Sequence, residues 1–302
     1  MIKEIEDLMF ESISSVKDTI YQTFNISERL IAEEHISYPD IYTNFWRLDK
    51  IIGRIENGKL YSISVKPGRG KTAFLLSLLK NIGIDRSTHT ALFSPERSSL
   101  KIIQRVVESH TASAFSKIVS DYNERIAPIS ANNFISKLYY SNIFIDDSTF
   151  MGDLRFDQKI DFMVENLGVK IILIDSIELY SQHISDVEHN YVESERIMKM
   201  LSESAKKHNI PIIIFSQIMN SKEIEDVHVN PSIEHIPKYI SDVCDTMMIL
   251  HRPNINTLQS HELEVWKKRA KLFIVKHFNE LRDDNVWLQY NESIDYFTSI
   301  DE

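Results

Sequence analysis

Leu60-Tyr61-Ser62-Ile63-Ser64-Val65-Lys66-Pro67-Gly68-Arg69-Gly70-Lys71-Thr72-Ala73-Phe74-Leu75-Leu76-Ser77-Leu78-Leu79 is the stretch that decides the fold. Its apolar first part, Leu60–Val65, reads as a buried strand. A glycine-containing turn follows, and an apolar helix then opens on Lys71 and Thr72. Strand, glycine-rich turn and helix in this order form the layout of a phosphate-binding loop. Glycine lets the backbone wrap closely and turn its N–H groups toward an anion. The helix N-terminus adds unpaired donors and a partial positive charge. The expected binding residues are Pro67, Gly68, Arg69, Gly70, Lys71, Thr72 and Ala73. Lys71 would reach the β- and γ-phosphates, and the Thr72 hydroxyl would hold Mg2+. The usual pattern has glycine where Val65 stands, and a short Gly-x-Gly-Lys-Thr also occurs in ordinary surface turns. With strand and helix both in place, ATP with Mg2+ is the expected ligand, and the loop alone does not exclude GTP.

A chain of 302 residues, 43% apolar, is long enough for one large domain with an appendage. It carries 34 basic against 44 acidic residues, a formal charge of −10. A surface of that sign does not attract nucleic acid globally, so any DNA contact needs a local basic patch. The best one is Trp266-Lys267-Lys268-Arg269-Ala270-Lys271, where Trp266 could stack on a base; a solvated rim leading into a strand is the plainer alternative. The single cysteine, Cys244, excludes an internal disulfide and sits in an apolar stretch, which predicts buried filler in a reducing cytosol. No apolar run approaches the ~20 residues that span a bilayer. The acidic segment Met1–Asp7 lacks the apolar core of a signal peptide. The expectation is a cytoplasmic protein with no membrane partner.

Residues Ile2 to about Glu34 read as helix, because Ile5, Leu8, Met9, Ile13, Val16, Ile20 and Phe24 recur at three- and four-residue steps. That stripe must bury itself, on its own domain or on a neighbouring subunit. Pro39 and its polar surroundings mark a break, giving an arm over residues 1–38 and a main domain over 39–302. From Phe45 onward strands and helices alternate. The predicted strands are Leu60–Val65, Thr90–Ser94, Asn142–Asp146, Lys170–Asp175, Pro211–Ser216, Thr246–Leu250 and Lys271–His277. The predicted helices include Lys71–Ile82, Ser98–Ser109, Arg155–Leu167 and Tyr191–His208. Strands apolar on both faces imply an α/β fold with a buried, largely parallel sheet flanked by helices. In such sheets ligands bind beyond the carboxyl ends of the strands, where the loop falls.

Three further residues close strands. Asp175 ends Lys170–Asp175 and stands where a magnesium-organising carboxylate is expected; a helix-capping Asp is the alternative. Glu96 follows Thr90–Ser94 and could polarise the attacking water as a general base, or simply open the next helix. Gln217 follows Pro211–Ser216 and could sense the γ-phosphate through a hydrogen bond, or close a loop.

These sites in this order resemble the RecA-like ATPase domain of ring-shaped replicative helicases of the DnaB type, over about Phe45 to Phe297. Trp46-Arg47-Leu48-Asp49 with Gly53 and Gly58 looks like that family's lead-in. Lys66–Phe74 looks like its own form of the loop, which also lacks the first glycine. Phe93-Ser94-Pro95-Glu96, Ile174-Asp175 and Phe215-Ser216-Gln217 look like its segments for the catalytic base, the magnesium carboxylate and the γ-phosphate sensor. Asp245 and Arg252 fall in its later strand region, and the N-terminal stripe resembles a linker helix that docks on the next subunit. The resemblance implies a P-loop NTPase with an N-terminal helical arm. It also implies a homo-oligomeric ring, a hexamer, that encircles single-stranded DNA, hydrolyses ATP at subunit interfaces and works with replication proteins.

The pattern departs from that family in three places. The terminal strand should end in Lys-x-Arg, whose Arg enters the neighbour's site. Here it reads Lys276-His277-Phe278, which keeps Lys276 as a catalytic candidate and leaves Arg282 as a substitute cation. Asn220 stands where an Arg is usual. The segment expected to face a central channel, Ser221 to Val229, holds Glu223, Glu225 and Asp226 against Lys222 alone, whereas DNA tracking needs cations. Two other functions therefore compete with the helicase: a nucleotide-gated assembly or helicase-loading protein, and a monomeric ATPase acting on another substrate.

Overall fold

The computed structural model describes residues 13–24, 40–148, 153–180, 187–218, 229–254, 258, 260–278 and 280–300. The first half contains β1 (Ile13–Ser15), α1 (Val16–Phe24), α2 (Trp46–Ile52), β2 (Leu60–Val65), α3 (Lys71–Leu79), β3 (Thr90–Phe93), α4 (Ser99–Thr111), α5 (Phe115–Asn123), α6 (Ile129–Tyr140) and β4 (Ile143–Asp146). The second contains α7 (Asp153–Glu165), β5 (Ile171–Asp175), α8 (Val187–His208), β6 (Ile212–Gln217), α9 (Lys238–Ser241), β7 (Thr246–His251), α10 (Ser260–Lys267), β8 (Arg269–His277), β9 (Glu280–Asn291) and β10 (Tyr296–Ser299).

All ten described strands join one sheet in the order β1-β4-β3-β5-β6-β2-β7-β8-β9-β10. Strands β4, β3, β5, β6, β2 and β7 run parallel. β1 is antiparallel on one edge, and β8, β9 and β10 form an antiparallel extension on the other. The parallel strands are covered on both faces, which is why their sequences are apolar throughout. Ile171, Leu173, Ile213 and Phe215 face a core shared with α1–α6. Ile172, Ile174, Ile212 and Ile214 face a core shared with α7 and α8. The successive residues point to opposite faces, as a strand requires.

The predicted parallel strands are present with end shifts of a residue or two, and so are the four predicted helices. α3 stops at Leu79 and continues as a π-helical turn, Lys80–Ile84, and α8 starts earlier than expected. The sequence pattern does not announce α2, α5 and α6 or strands β9 and β10. The first half of β9, Glu280–Asp284, is charged and exposed and hides the strand; only Val286, Leu288 and Tyr290 alternate inward.

The continuous N-terminal helix is corrected. Ile13–Ser15 is a strand paired with β4, with Ile13 opposite Asp146. Helix begins after it because the Ser15 Oγ accepts from the Asp18 N–H at 3.0 Å, an N-terminal capping bond. Ile5, Leu8 and Met9, and the helix beyond Phe24, lie outside the described residues. Val16, Ile20 and Phe24 are buried on the chain's own body, Phe24 edge-on to Phe115 and Tyr122. Each such side chain contributes ~1.5–3 kcal/mol when fully buried. This part of the stripe is therefore not offered to a neighbouring subunit.

Trp266 is corrected too. It is buried, edge-on to His251 and packed on Trp287 at 4.9 Å between ring centroids, so it is not a stacking platform for a base. Cys244 is buried as expected, and burial pushes its thiol up to about 12.

Candidate nucleotide site

β2 delivers the loop to the carboxyl edge of the sheet. Just before the loop, buried Ser64 and Ser216 share a 2.7 Å hydrogen bond that ties β2 to β6. Gly68 and Gly70 take φ of +72° and +99°, conformations that side chains rarely adopt. At Gly70 a Cβ would also meet the Phe297 ring at 3.0 Å. The Phe74 N–H closes the first helical bond onto the Gly70 carbonyl at 2.9 Å. The N–H groups just before Phe74 belong to the first turn, which has no intrahelical acceptors.

A cavity of about 380 Å³ opens at this helix start. Pro67, Gly68, Gly70, Lys71, Thr72 and Ala73 line it, together with Glu96 and Gln217. Arg69 is not on the wall; its backbone N–H turns back to the Lys66 carbonyl at 3.1 Å. The wall carries Lys66, Lys71, Arg97, Arg105 and Arg252 against two carboxylates, Glu96 and Asp295. On a chain of net charge −10 that local excess of cations marks an anion site.

Asp175 closes β5 beneath the loop and is 1% exposed. Its Oδ1 lies 2.7 Å from the Lys71 Nζ. Asp175 is thus a buried charge held by the loop lysine rather than an open acid on the cavity wall. Glu96 sits in the short connection from β3 to α4. That connection is pinned at both ends: the Ser94 N–H donates to the Asp146 carbonyl and the Ser99 N–H to the Asp147 Oδ2, each at 2.8 Å. Gln217 is in register with Val65, so the sensor candidate stands beside the residue that leads into the loop. Its N–H donates to the Glu178 Oε1 at 2.7 Å. No motif in the sequence singles out Glu178; burial raises its carboxyl above the usual range, countered by the Gln217 N–H, the Ser176 hydroxyl and Lys71.

Lys276 is not brought to this cavity. β8 is antiparallel, so its end pairs with the start of β7 at the opposite edge of the sheet. The Lys276 amine donates to the Cys244 carbonyl at 2.8 Å. That placement gives it no role at its own chain's phosphate loop. Phe278 follows at φ +52° with the Lys59 amine 5.5 Å from its ring centroid. Arg282 is paired with Glu280 at 2.7 Å. Asn220 and Ser221 to His228 lie outside the described residues.

The cavity wall also holds residues that no motif in the sequence announces. Tyr290 of β9 lies under the Arg252 guanidinium, 3.6 Å from the ring centroid. Asp295 and Arg105 complete that side. The donor set fits a magnesium nucleotide. The helix start and Lys71 would face the phosphates, Thr72 and the buried Asp175 are the residues that would hold the metal, and Arg252 on the Tyr290 ring stands to one side.

The family described as DnaB-like helicase C-terminal domain matches residues 40–299. A probable replicative DNA helicase of Guillardia theta is 27% identical over 215 residues, 70% of this chain and 35% of that protein. The replicative DNA helicase DnaB of Geobacillus stearothermophilus is 24% identical over 239 residues, 74% of this chain and 51% of that protein. The chain thus spans a third to a half of these relatives' length. Among solved structures, a DnaB-like replicative helicase studied with primase superposes with a TM-score of 0.71 at 19% identity, covering 95% of this chain and 67% of that one. A second solved structure, of an ATPase domain by itself, superposes with a TM-score of 0.70 at 19% identity, covering 94% of this chain and 97% of that one. The fold is therefore that of a RecA-like ATPase domain. No described helix is long and apolar enough to cross a membrane.

Proposed function

The chain belongs to the DnaB-like helicase C-terminal domain family, and from that premise we propose that it is an ATP-hydrolysing helicase motor. It acts as one subunit of a homo-oligomeric ring, a hexamer, moving on single-stranded DNA alongside replication proteins. The observation that carries this reading is convergence. Lys71, Thr72, Glu96 and Gln217 arrive from three strand ends at one cation-lined cavity at a helix start.

In this reading the N–H groups of the loop and first helical turn hold the phosphate oxygens. Lys71 leaves Asp175 for the β- and γ-phosphates. Thr72 and Asp175 are the residues that would hold Mg2+, which neutralises charge on the transferred phosphoryl when bound. Glu96 takes a proton from the attacking water. The Gln217 side chain contacts the γ-phosphate while its backbone is fixed by Glu178. The base lies against the Arg252 guanidinium, which the buried Tyr290 ring supports from beneath. Lys276, at the far edge, acts on a neighbouring subunit's nucleotide or not at all.

We assign residues 39–302 to the ATPase body and 1–38 to an arm, of which Ile13–Phe24 is packed on that body. A cytoplasmic setting accords with the one buried cysteine.

The test is steady-state ATP hydrolysis with and without single-stranded DNA at low salt. DNA should stimulate turnover, and Lys71→Ala should abolish it. Full activity in Lys71→Ala would sink this function. A nucleotide-gated assembly protein is favoured instead by one feature, Phe278 where the family carries an arginine finger. DNA affinity that does not fall with salt, together with nucleotide-dependent assembly on a sizing column, would select it.

A further inference from the structure

One side of the cavity is built as a linked chain of side chains. Tyr290 donates its phenol to the Asp295 Oδ1 at 2.7 Å. The other Asp295 oxygen pairs with the Arg105 guanidinium. Arg105 belongs to α4, the helix that follows the Glu96 connection. The Arg252 guanidinium covers the Tyr290 ring, and Phe297 supports it at 4.8 Å between centroids. Phe297 is itself fixed to the loop helix, its N–H donating to the Ser77 Oγ at 2.9 Å. Tyr290, Asp295, Arg105 and Arg252 all line the nucleotide cavity.

From this geometry we infer that Asp295 is a positioning residue for the nucleobase. It orients, through the Tyr290 phenol, the buried ring on which the base-facing Arg252 guanidinium rests, and braces that ring against α4 through Arg105. The inference rests on the nucleotide reading of this cavity and adds what sets affinity for the base, as distinct from the phosphates. Three features support a dedicated role over a chance surface pair. Asp295 holds two partners at once, from elements far apart in sequence. It takes φ +47°, a backbone conformation that aspartate tolerates better than most residues. Burial and the neighbouring Asp295 carboxylate push the Tyr290 phenol up to about 12, so it stays a donor at neutral pH.

The experiment compares calorimetric affinities for Mg–ATP and for magnesium with inorganic triphosphate, which has no base. Tyr290→Phe removes the hydrogen bond and keeps the ring; Asp295→Asn keeps the left-handed backbone and removes the charge. Each should weaken Mg–ATP by roughly three- to tenfold, the size of one hydrogen bond, and leave triphosphate affinity unchanged. The double variant should be no weaker than the more affected single one. Unchanged Mg–ATP affinity in both single variants, or an equal loss for both ligands, overturns the inference while the nucleotide reading survives. If the unmodified chain binds neither ligand, the nucleotide reading fails first and the inference falls with it. Should Asp295→Asn fail to fold, the single-oxygen deletion Tyr290→Phe decides the question.

Discussion

The Lys71 ammonium and the buried Asp175 carboxylate stand 2.7 Å apart, joining the phosphate loop to the end of the strand two places away in the sheet. The pair neutralises a charge that would otherwise be costly beneath the loop. It also stores the lysine next to the place where phosphate is expected.

Asp175→Asn releases that lysine and removes the carboxylate proposed for the metal. Magnesium-dependent hydrolysis should fall by about 10²-fold or more. Metal-free ADP should bind at least as tightly as to the unmodified chain, since Lys71 is no longer engaged. Titration of ADP in excess chelator checks this, and a large loss of metal-free affinity would contradict it.

Glu96→Gln keeps the shape of the connection between β3 and α4 and deletes the proposed base. Turnover should drop about 10²–10⁴-fold, the range of a general base, with nucleotide affinity preserved. Single-turnover kinetics at saturating ATP measure the first effect, and equilibrium titration measures the second. An unaltered rate would remove Glu96 from the chemistry.

Trp266→Ala should act on stability. Emptying the space between His251 and Trp287 is expected to cost about 3–5 kcal/mol in denaturant unfolding. DNA affinity of the folded fraction at fixed salt should stay within about twofold, because a buried ring offers no stacking face. Normal stability combined with lost DNA binding would restore the sequence-based expectation.

His251 makes stability depend on pH. Burial first, then Lys271, Lys66 and Arg69 nearby, hold it down to about 4 from an ordinary 6.5. Between those values the unfolded chain binds a proton that the folded chain refuses. Stability from this residue should therefore rise with pH from 4 to 6.5 and be level above, over a span of about 3 kcal/mol. Urea unfolding of the chain and of His251→Phe across that window gives the measurement. Parallel slopes in both would remove His251 as the cause.

Most of the nucleotide loop is legible in the sequence because strand, turn and helix are contiguous there. Gly68, Gly70, Lys71 and Thr72 need no partner from elsewhere to declare their geometry. The parallel strands are legible for a similar reason, since burial on both faces leaves uninterrupted apolar runs such as Ile171–Ile174. Glu96, Asp175 and Gln217 stand out as polar residues closing such runs.

Chain order and local pattern, then, determined the α/β class and the strand, turn and helix of the candidate phosphate loop. The tertiary structure alone decided what pairing and packing create between distant segments. It turned Ile13–Ser15 from an apparent helix into a strand on β4, buried Trp266, and used the register of β2 and β6 to set Gln217 beside Val65. It also assembled Arg105, Arg252, Tyr290 and Asp295 on one wall, from positions up to 190 residues apart. A side chain's neighbours across a sheet depend on strand order and register, and both are set by the whole core rather than by any local run of residues.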